Sequence, residues 1–380
     1  MPTSDPAIVF LRDLVAIDSV NPSLVPGARG EHDVAQRIAR ELETIGLDVE
    51  IRDAAPGRPN VVGVLEGRES GRSLMFCGHS DTVGVQGMRK PFDPEIREGR
   101  LYGRGAQDMK GGIAAMVDAA RRIVDQGGLA HGRVIVAAVV DEEHASLGAD
   151  ALVRAWQADA AVVTEPTGLD IAIAHKGFQW VAIETRGRAA HGSRPREGRD
   201  AIFRMGRVVT RLDGLDRRLQ RGRSHPLLGT PSLHASVIEG GHEMSSYPAR
   251  AVLRFERRTL PAESPTIALD EANEILAALR DEDHEFDGDA RFVFGRDAYE
   301  IDPSDPLPVL LADAAKRVGC HPSIAGMTFW TDAAILGAAG IPSLLFGPGG
   351  AGLHSVDEYV LVDEVCRCRD ALAELAKTFC

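Results

Sequence analysis

The chain has 380 residues and a formal net charge of −13, from 43 basic and 56 acidic side chains. This length exceeds what one small hydrophobic core supports and indicates two domains. Apolar residues make up 44% and charged residues 26%, which is ordinary for a globular protein. An acidic surface repels phosphate backbones, so we expect no nucleic-acid partner. There is no apolar run of about 18 residues, so we expect no membrane partner either.

The cysteines and the N-terminal sequence indicate a cytoplasmic location. The five cysteines are odd in number and scattered along the chain, which argues against a disulfide framework and for a reducing compartment. The first residues, MPTSDPAIVFLRDL, lack a basic start followed by an apolar core and so show no secretory signal. We therefore expect a cytoplasmic protein.

The first half of the chain alternates helix and strand patterns. Residues 6–17 and 31–45 carry apolar residues at helical spacing, and Gly46 is a helix stop. A further helix is predicted at 112–124. Short apolar runs rich in Val and Ile predict strands at 60–65, 73–77, 133–140 and 160–164. Such strands, separated by helices, are typical of an α/β fold with a buried, mostly parallel sheet.

The pattern changes from about residue 177. The order of predicted elements becomes strand–helix–strand–strand–helix–strand, which indicates a small antiparallel sheet backed by two helices. These elements include strands at 178–185, 251–258 and 290–294 and helices at 200–212 and 264–279. After residue 295 a helical pattern returns, followed by a strand at 342–346 and a helix at 364–377. The simplest account is a catalytic domain formed by 1–177 and 295–380, interrupted by an inserted domain at 178–294.

Five segments combine histidines with carboxylates. They are CGHSDTVGV (77–85), YGRGAQDMKGG (102–112), VVDEEHASLG (139–148), TEP (164–166) and LHSVDE (353–358). His79, Glu142, Glu143 and Glu165 each follow an apolar run. Ligands of parallel sheets bind beyond the carboxyl ends of the strands, so the predicted fold and the predicted chemistry agree on one location.

A hydrolytic site with two metal ions explains this residue set. Each ion needs about three protein ligands, one group must bridge both ions, and one position must stay open for water. A carboxylate is suited to bridging because its two oxygens span ions roughly 3.5–4 Å apart. The adjacent Glu142 and Glu143 meet a further demand, since one carboxylate can hold a metal while its neighbour moves a proton.

Each segment taken alone has a more ordinary interpretation. The glycines at 103, 105, 111 and 112 around Asp108 would suit a phosphate-binding loop, but the Gly-Lys-Ser/Thr ending is missing. Glu142 and Glu143 would suit a solvated helix start. Two further candidates outside these segments also have ordinary interpretations, since His191 would suit a turn and Arg258 an exposed strand position. The five segments together are hard to explain by packing.

Together the segments resemble the acetylornithine deacetylase, succinyl-diaminopimelate desuccinylase and carboxypeptidase G family of co-catalytic zinc metallopeptidases. The resemblance runs from near residue 10 to the C-terminal helix. It implies two divalent metal ions, with Zn the first choice and Co or Mn as alternatives. It also implies an inserted, ferredoxin-like α+β domain that acts as a lid or dimerisation domain, and hence a homodimer.

By this resemblance the metal ligands are His79, Asp108, Glu143, Glu165 and His354. His79 and Glu165 hold the first ion, Glu143 and His354 hold the second, and Asp108 bridges the two, with a cis peptide bond after it. Glu142 is the general base that accepts a proton from the attacking water, and Asp81 orients His79.

The resemblance also implies roles in the inserted domain and in a glycine-rich loop. AAHGSRP (189–195) resembles the segment whose histidine, here His191, reaches the scissile carbonyl on domain closure, from the other subunit in dimeric members. YPARAVLRFERRTLP (247–261) resembles the strand whose arginine binds the substrate carboxylate, and Arg258 matches it best, with Arg257 as the alternative. Ser245 stands where many relatives have an asparagine that contacts substrate. GPGGAGLH (347–354) resembles a loop that offers the backbone N–H groups of Gly349 and Gly350 to a substrate carboxylate.

These expectations define a metal-dependent amidohydrolase. It would remove an acyl group from an N-acyl amino acid, a small-molecule substrate, with N-acetylornithine-like compounds as the first choice. One alternative is a dipeptidase or a glutamate-type carboxypeptidase of the same family. Another is a non-catalytic metal-binding scaffold, against which the presence of the base Glu142 argues.

Overall fold

The computed structural model describes residues 4–380, which form two compact units. The first unit comprises residues 4–173, 301–325 and 331–380, and the second comprises residues 174–300 and 326–330. Whether the second unit serves as a lid or as a dimerisation domain stays a prediction. Within residues 4–380, no helix has both the length and the apolar character that crossing a bilayer requires.

The helices of the described chain are α1 (Pro6–Ala16), α2 (His32–Ile45), α3 (Gly111–Asp125), α4 (Leu147–Ala155), α5 (Ala201–Leu219), α6 (Ile267–Glu282), α7 (Leu307–Arg317), α8 (Ala333–Ala338) and α9 (Val362–Phe379). A single π-helical turn, Ala106–Lys110, precedes α3.

The strands are β1 (Asp48–Ala55), β2 (Arg58–Glu66), β3 (Glu69–His79), β4 (Glu95–Arg97), β5 (Arg100–Tyr102), β6 (His131–Val139), β7 (Ala160–Val163), β8 (Ile171–His175), β9 (Gly177–Arg186), β10 (Ser232–Gly240), β11 (Arg250–Thr259), β12 (Gly288–Arg296), β13 (Tyr299–Glu300), β14 (Ile324–Met327), β15 (Ser343–Leu345), β16 (Gly350–Ala351) and β17 (Tyr359–Leu361).

A mixed sheet forms the centre of the first unit, in the order β1-β2-β6-β3-β7-β15-β8. The four central strands β6, β3, β7 and β15 are parallel, and β1, β2 and β8 run antiparallel to their neighbours. His79 lies opposite Val139 and Cys77 lies opposite Val163, so β3, β6 and β7 end at the same edge. The prediction of a largely parallel central sheet is confirmed, and its carboxyl edge brings three of the five segments together.

Apolar runs explain why these strands form the interior. The last seven residues of β3 and all of β7 are buried, as expected for strands covered on both faces. Helix α2 buries one apolar stripe, formed by Val34, Ile38, Leu42 and Ile45. It ends at Gly46, whose φ of 98° is the left-handed conformation of a helix stop, as predicted.

A second, small sheet of the first unit has the order β16-β17-β5-β4. Tyr359 of β17 lies opposite Tyr102 of β5, and Gly350 of β16 lies opposite Val360. This pairing places the segment that carries His354 beside the segment that leads to Asp108, although about 250 residues separate them in sequence.

The second unit contains an antiparallel sheet in the order β10-β11-β9-β12, with α5 and α6 against one face. Its core contains Val181 and Phe255 from the sheet, Met205 from α5 and Leu276 from α6. The order strand–helix–strand–strand–helix–strand agrees with the sequence pattern and with a ferredoxin-like arrangement.

Candidate metal centre

Strand β3 delivers His79 to a buried position at the carboxyl edge of the central sheet. His79 is its last residue and is 1% exposed. Its Nδ1 lies 3.0 Å from the backbone carbonyl oxygen of Asp81, and its Nε2 lies 3.0 Å from Oδ1 of Asp108. The ring is therefore held from one side, and its other nitrogen faces a carboxylate.

Asp108 stands between two histidines. Its Oδ1 faces Nε2 of His79, and its Oδ2 lies 3.3 Å from Nε2 of His354. The Asp108–Met109 peptide is cis, as the resemblance implies. One carboxylate thus directs each of its oxygens to a different imidazole, which is the arrangement that a ligand shared by two ions requires.

The neighbours Glu142 and Glu143, which follow β6, take different partners. Oε2 of Glu143 lies 3.1 Å from Nε2 of His354, whereas Oε2 of Glu142 lies 3.9 Å from Nε2 of His79. Glu165 follows β7, and its Oε1 lies 3.8 Å from the same nitrogen of His79. Two groups, His79–Asp108–Glu143 and His79–Glu142–Glu165, each keep their potential ligand atoms within 4.8 Å of one another.

Burial and mutual repulsion disfavour ionisation of these clustered carboxyl groups. Burial raises the pKa of Glu143 to about 7, and the negative charge of Asp108 adds to the effect. Burial also raises the pKa of Glu142 and the pKa of Glu165 well above their ordinary value. Burial opposes ionisation of Asp108 as well, but hydrogen bonds with His354 and His79 outweigh it and hold the pKa of Asp108 low. The cluster needs added positive charge before all four carboxyls can be ionised together.

Both histidines carry raised pKa values because they face these carboxylates. Hydrogen bonds to Asp108 and Glu143 raise the pKa of His354 to about 10. Burial alone would lower the pKa of His79, but its contacts with Asp108 and Asp81 raise it well above the ordinary value. A bound divalent cation would replace these protons, because imidazole ligates a metal only in its neutral form.

The donor set fits divalent metal ions. Imidazole nitrogen and carboxylate oxygen are ligands that Zn, Co and Mn accept. Oε1 of Glu143 is buried and accepts no hydrogen bond from the described part of the chain. A buried oxygen without a donor is costly unless a cation or water satisfies it. The site therefore has three features expected of a metal centre, namely suitable ligand atoms, excess negative charge and a buried oxygen without a hydrogen-bond donor.

Comparison with known proteins identifies the family of the chain. Residues 75–378 match the family described as peptidase family M20/M25/M40. The chain belongs to that family. It is therefore a hydrolase that acts on amide or peptide bonds, and its fold is the fold of the family.

Relatives of this M20 protein cover nearly its whole length. An acetylornithine deacetylase of Proteus mirabilis is 30% identical over 391 residues, covering 98% of this chain and 96% of that protein. The structure of the aminopeptidase PepT of Bacillus cereus matches with a TM-score of 0.81 at 20% identity, covering 98% of each chain. A dinuclear metal-binding peptidase of Bacillus subtilis matches with a TM-score of 0.75 at 17% identity, covering 98% of this chain and 97% of that one.

In the second unit, Arg257 and Arg258 project from opposite faces of strand β11. Arg257 is buried and forms ion pairs with Glu263 (2.8 Å) and Glu271 (2.7 Å). Arg258 is about one-third exposed, and its Nε donates to Oε1 of Glu256 over 2.7 Å. The structure thus gives Arg257 two carboxylate partners within the unit and leaves the terminal nitrogens of Arg258 more accessible.

His191 and Ser245 lie on adjacent segments of the second unit. His191 is exposed, its Nδ1 lies 2.8 Å from Oγ of Ser193, and it forms a β-bridge with Ser246. The backbone carbonyl of Ser245 accepts the N–H of Gly192 over 2.6 Å. The two segments named in the sequence are therefore side by side, and their contacts with substrate stay predictions.

The glycine-rich loop is held by the first unit itself. The N–H of Gly349 donates to Oε2 of Glu364 over 2.7 Å, and Gly350 pairs with Val360. A side chain at Gly350 would place its Cβ 2.0 Å from the carbonyl oxygen of Tyr359, so close strand approach accounts for this glycine. Since the Gly349 amide already has an acceptor, a substrate contact through it stays a prediction.

Residues that no local motif marked also reach the cluster. Asn21 contacts Asp81 and Asp141, and Arg58 contacts Asp141 over 2.7 Å. Glu358 closes the LHSVDE segment and contacts the backbone before Asp108. Of these residues only Glu358 lies in one of the five segments, LHSVDE, and nothing in that segment distinguished it from an ordinary surface carboxylate.

Proposed function

We propose that this M20 protein is a deacylase that hydrolyses the amide bond of N-acyl amino acids with two divalent metal ions. The observation that carries the proposal is the position of Asp108, whose two oxygens face His79 and His354 separately. A single metal site would not need a carboxylate directed at two imidazoles. The dinuclear metal centre named for the B. subtilis relative supports this interpretation.

The proposed ligand sets are those that the family resemblance implies, and the distances support them. His79 and Glu165 would hold the first ion, and Glu143 and His354 would hold the second. Asp108 would contribute one oxygen to each. Zn is the first choice, with Co or Mn as alternatives, because imidazole and carboxylate suit all three. When bound, such ions supply Lewis acidity and lower the pKa of water to about 7.

Glu142 is the proposed general base. It lies in the cluster, with Oε2 3.9 Å from Nε2 of His79, and directly precedes the proposed ligand Glu143 in the chain. It would accept a proton from the attacking water as the water oxygen bonds to the amide carbon. It would then donate that proton to the nitrogen as the carbon–nitrogen bond breaks. Burial raises the pKa of Glu142, which makes the group a stronger proton acceptor than an exposed glutamate.

The remaining groups would bind and orient the substrate. Arg258 offers a guanidinium whose Nε is fixed by Glu256, which leaves its terminal nitrogens for a carboxylate. Arg257 is the weaker candidate, because Glu263 and Glu271 already neutralise it. His191 would stabilise negative charge on the scissile carbonyl oxygen.

Acetylornithine deacetylases are the curated relatives that make N-acetylornithine the first substrate to test. The experiment uses chelator-stripped protein, with and without added Zn, Co or Mn, on N-acetylornithine, other N-acetyl amino acids and unblocked dipeptides. Metal-dependent release of free amino acid from N-acetyl compounds is the expected result. Glu142→Gln protein prepared in the same way is the control for contaminating hydrolases.

A peptidase is the second candidate, favoured by the fold shared with an aminopeptidase. Metal-dependent cleavage of dipeptides, with N-acetyl amino acids untouched, would replace the deacylase assignment with this one. A protein that binds metal but hydrolyses neither class would contradict both.

We also propose a cytoplasmic homodimer. The five cysteines are free, which suits a reducing compartment. In the second unit the edge strand β10 exposes Val237 and Ile238, and exposed apolar edge strands favour pairing with another chain. A mass twice that of the 40.7 kDa chain in light scattering is the expected result, and a monomer mass would contradict the dimer.

A further inference from the structure

The two loops that carry Asp108 and His354 are joined by a buried ion pair. Arg104 lies four residues before Asp108, and Glu358 lies four residues after His354. Nη1 of Arg104 donates to Oε2 of Glu358 over 2.6 Å, and both side chains are 1% exposed. The pair lies within the first unit and does not include any of the proposed ligands.

Glu358 accepts hydrogen bonds from the backbone that leads to Asp108. Its Oε2 accepts the N–H of Gly105 at 3.1 Å, and its Oε1 accepts the N–H groups of Gln107 at 2.9 Å and Asp108 at 3.2 Å. Three amide donors of one short segment therefore share a single carboxylate. This carboxylate fixes the backbone at the residue that faces both histidines.

Arg104, from the loop of Asp108, in turn holds the backbone of the His354 loop. Its Nη2 donates to the carbonyl oxygen of Ser355 over 3.1 Å, next to His354. Each loop thus provides one charged side chain that holds the backbone of the other loop. The His354 loop has little regular structure of its own, since only Gly350–Ala351 and Tyr359–Leu361 around it are strands.

The ion pair is not explained by stability alone. Both side chains of the pair are 1% exposed, and removing two charged groups from water is costly. Replacing a buried ion pair with apolar side chains is often neutral or stabilising. What the pair adds here is geometry, because it fixes one ligand loop against another.

We propose that Arg104 and Glu358 are positioning residues that set the separation of Asp108 and His354, and so determine the affinity of the second metal ion. This inference rests on the proposed two-metal function. His79 and Glu165, the proposed ligands of the first ion, stand at the ends of β3 and β7 and are positioned by the central sheet. Asp108 is shared by both ions, whereas His354 belongs to the second alone, so loss of the pair should weaken the second metal site more than the first.

The test measures Zn²⁺ binding to full-length metal-free protein by calorimetry and by metal analysis after dialysis. Glu358→Gln keeps the side-chain size but replaces one acceptor oxygen with a donor that faces N–H groups. We expect two ions on the wild type and, on the variant, at least a tenfold weaker second ion. The affinity of the first ion should fall by a smaller factor, because Asp108 is the only one of its proposed ligands on the loops that the pair joins. The Glu143→Ala variant supplies the reference isotherm for loss of the second ion.

The matched control is Asp118→Asn, which disrupts another buried ion pair of the first unit. Asp118 contacts Arg369 over 3.0 Å and reaches none of the proposed ligands. It should lower the melting temperature while both ions still bind. A merely structural role of Glu358 would give the same pattern, so the difference between the two variants isolates the positioning role.

Arg104→Lys is the milder variant if Glu358→Gln does not fold. Lysine keeps the charge but cannot reach Glu358 and Ser355 together as a guanidinium does. A second ion that is weakened clearly more than the first supports the inference. Wild-type affinity for both ions in a folded variant, or equal weakening of both, overturns it and leaves the proposed function intact. Failure of the wild type to bind two ions would instead contradict the proposed function itself.

Discussion

The side-chain amide of Asn21 donates a hydrogen bond to Oδ2 of Asp81 over 2.8 Å. The same nitrogen donates to Oδ1 of Asp141 over 3.0 Å, so one amide bridges two fully buried carboxylates. Asp81 in turn accepts the backbone N–H groups of Glu142 (3.1 Å) and Glu143 (3.2 Å). Asn21 therefore acts on the proposed base and on a proposed ligand through Asp81.

We predict that Asn21→Ala lowers kcat by about 10–100-fold while the protein still binds metal, because the support of Asp81 is lost but no ligand is removed. Asn21→Asp should be more damaging, since it places a third carboxylate between two others. Steady-state kinetics and metal analysis are the measurements. Gln179→Ala is the control, because Gln179 is a buried amide of the second unit that bonds Ser264 and Ala268. Equal losses of activity in the two alanine variants would remove Asn21 from the mechanism.

The adjacent glutamates should separate catalysis from metal binding. Glu142→Gln should retain both ions and lose about 10²–10⁴-fold in kcat, because it removes only the proton acceptor. Glu143→Gln should lose one ion, because Oε2 of Glu143 faces His354 at 3.1 Å. Metal analysis on dialysed proteins, beside initial rates, distinguishes the two. Loss of metal from the Glu142 variant alone would mean that the two roles are exchanged.

The affinity for the second metal ion, whose proposed ligands include His354 and Glu143, should rise with pH. The pKa of His354 is raised to about 10 and that of Glu143 to about 7 in the absence of metal, and each must lose its proton to become a ligand. Protons therefore compete with the metal, and lowering the pH weakens binding. Protonation of His354 alone should weaken metal binding about tenfold for each pH unit, which is roughly 100-fold between pH 8 and pH 6. Protonation of Glu143 should weaken binding further below pH 7. Competition with a chelator at several pH values measures this slope, and a flat profile would contradict it.

Substitutions of the two neighbouring arginines of β11 should have different effects. Arg258→Ala should lower kcat/KM by roughly 10–100-fold, mainly through KM, because a charge-assisted hydrogen bond to the substrate carboxylate is lost. Arg257→Ala should instead destabilise the second unit by about 3–5 kcal/mol. It leaves two largely buried carboxylates, Glu263 and Glu271, without their guanidinium partner. Kinetics and thermal unfolding of both variants test the pair. A KM effect confined to Arg257→Ala would reverse the assignment.

His191→Ala should lower kcat on the order of 100-fold and leave metal content unchanged, as expected for a group that stabilises charge on the carbonyl oxygen. His284→Ala is the matched control, because His284 is also an exposed histidine of the second unit. Initial rates at saturating substrate are the measurement. Wild-type rates in the His191 variant would exclude this residue from the mechanism.

Elements with continuous apolar runs could be predicted from the sequence, and others could not. Strands β3, β6 and β7 were predicted because both of their faces are buried, which leaves an unbroken apolar run. Strand β1, with the sequence DVEIRDAA, was not predicted. It lies at the sheet edge and is largely exposed, so charged residues interrupt its pattern. The small sheet of β4, β5, β16 and β17 consists of two- and three-residue strands, too short for any periodicity.

The residues of the candidate site also differ in whether the sequence predicts them. His79 is the last residue of a strand, and Glu143 and Glu165 each follow one, so local patterns predicted all three at one edge of the sheet. Asn21 and Glu358 act only across the fold. Asn21 lies 60 residues from Asp81, and Glu358 lies 250 residues from Asp108. A single sequence carries no signal for such distant pairs, because each partner alone is an ordinary polar residue.

Strand β15 has a consequence for how the protein is made. It lies between β7 and β8, with Leu345 opposite Val163 on one side and Ala172 on the other. Translation produces β7 and β8 first and β15 only when the chain is almost finished, since proteins emerge N-terminus first. Until then β7 and β8 keep unpaired backbone groups along their facing edges, and open edges recruit strands from other chains. We expect a product cut short before residue 343 to keep these edges open, because it lacks β15, and therefore to aggregate more readily than the full chain.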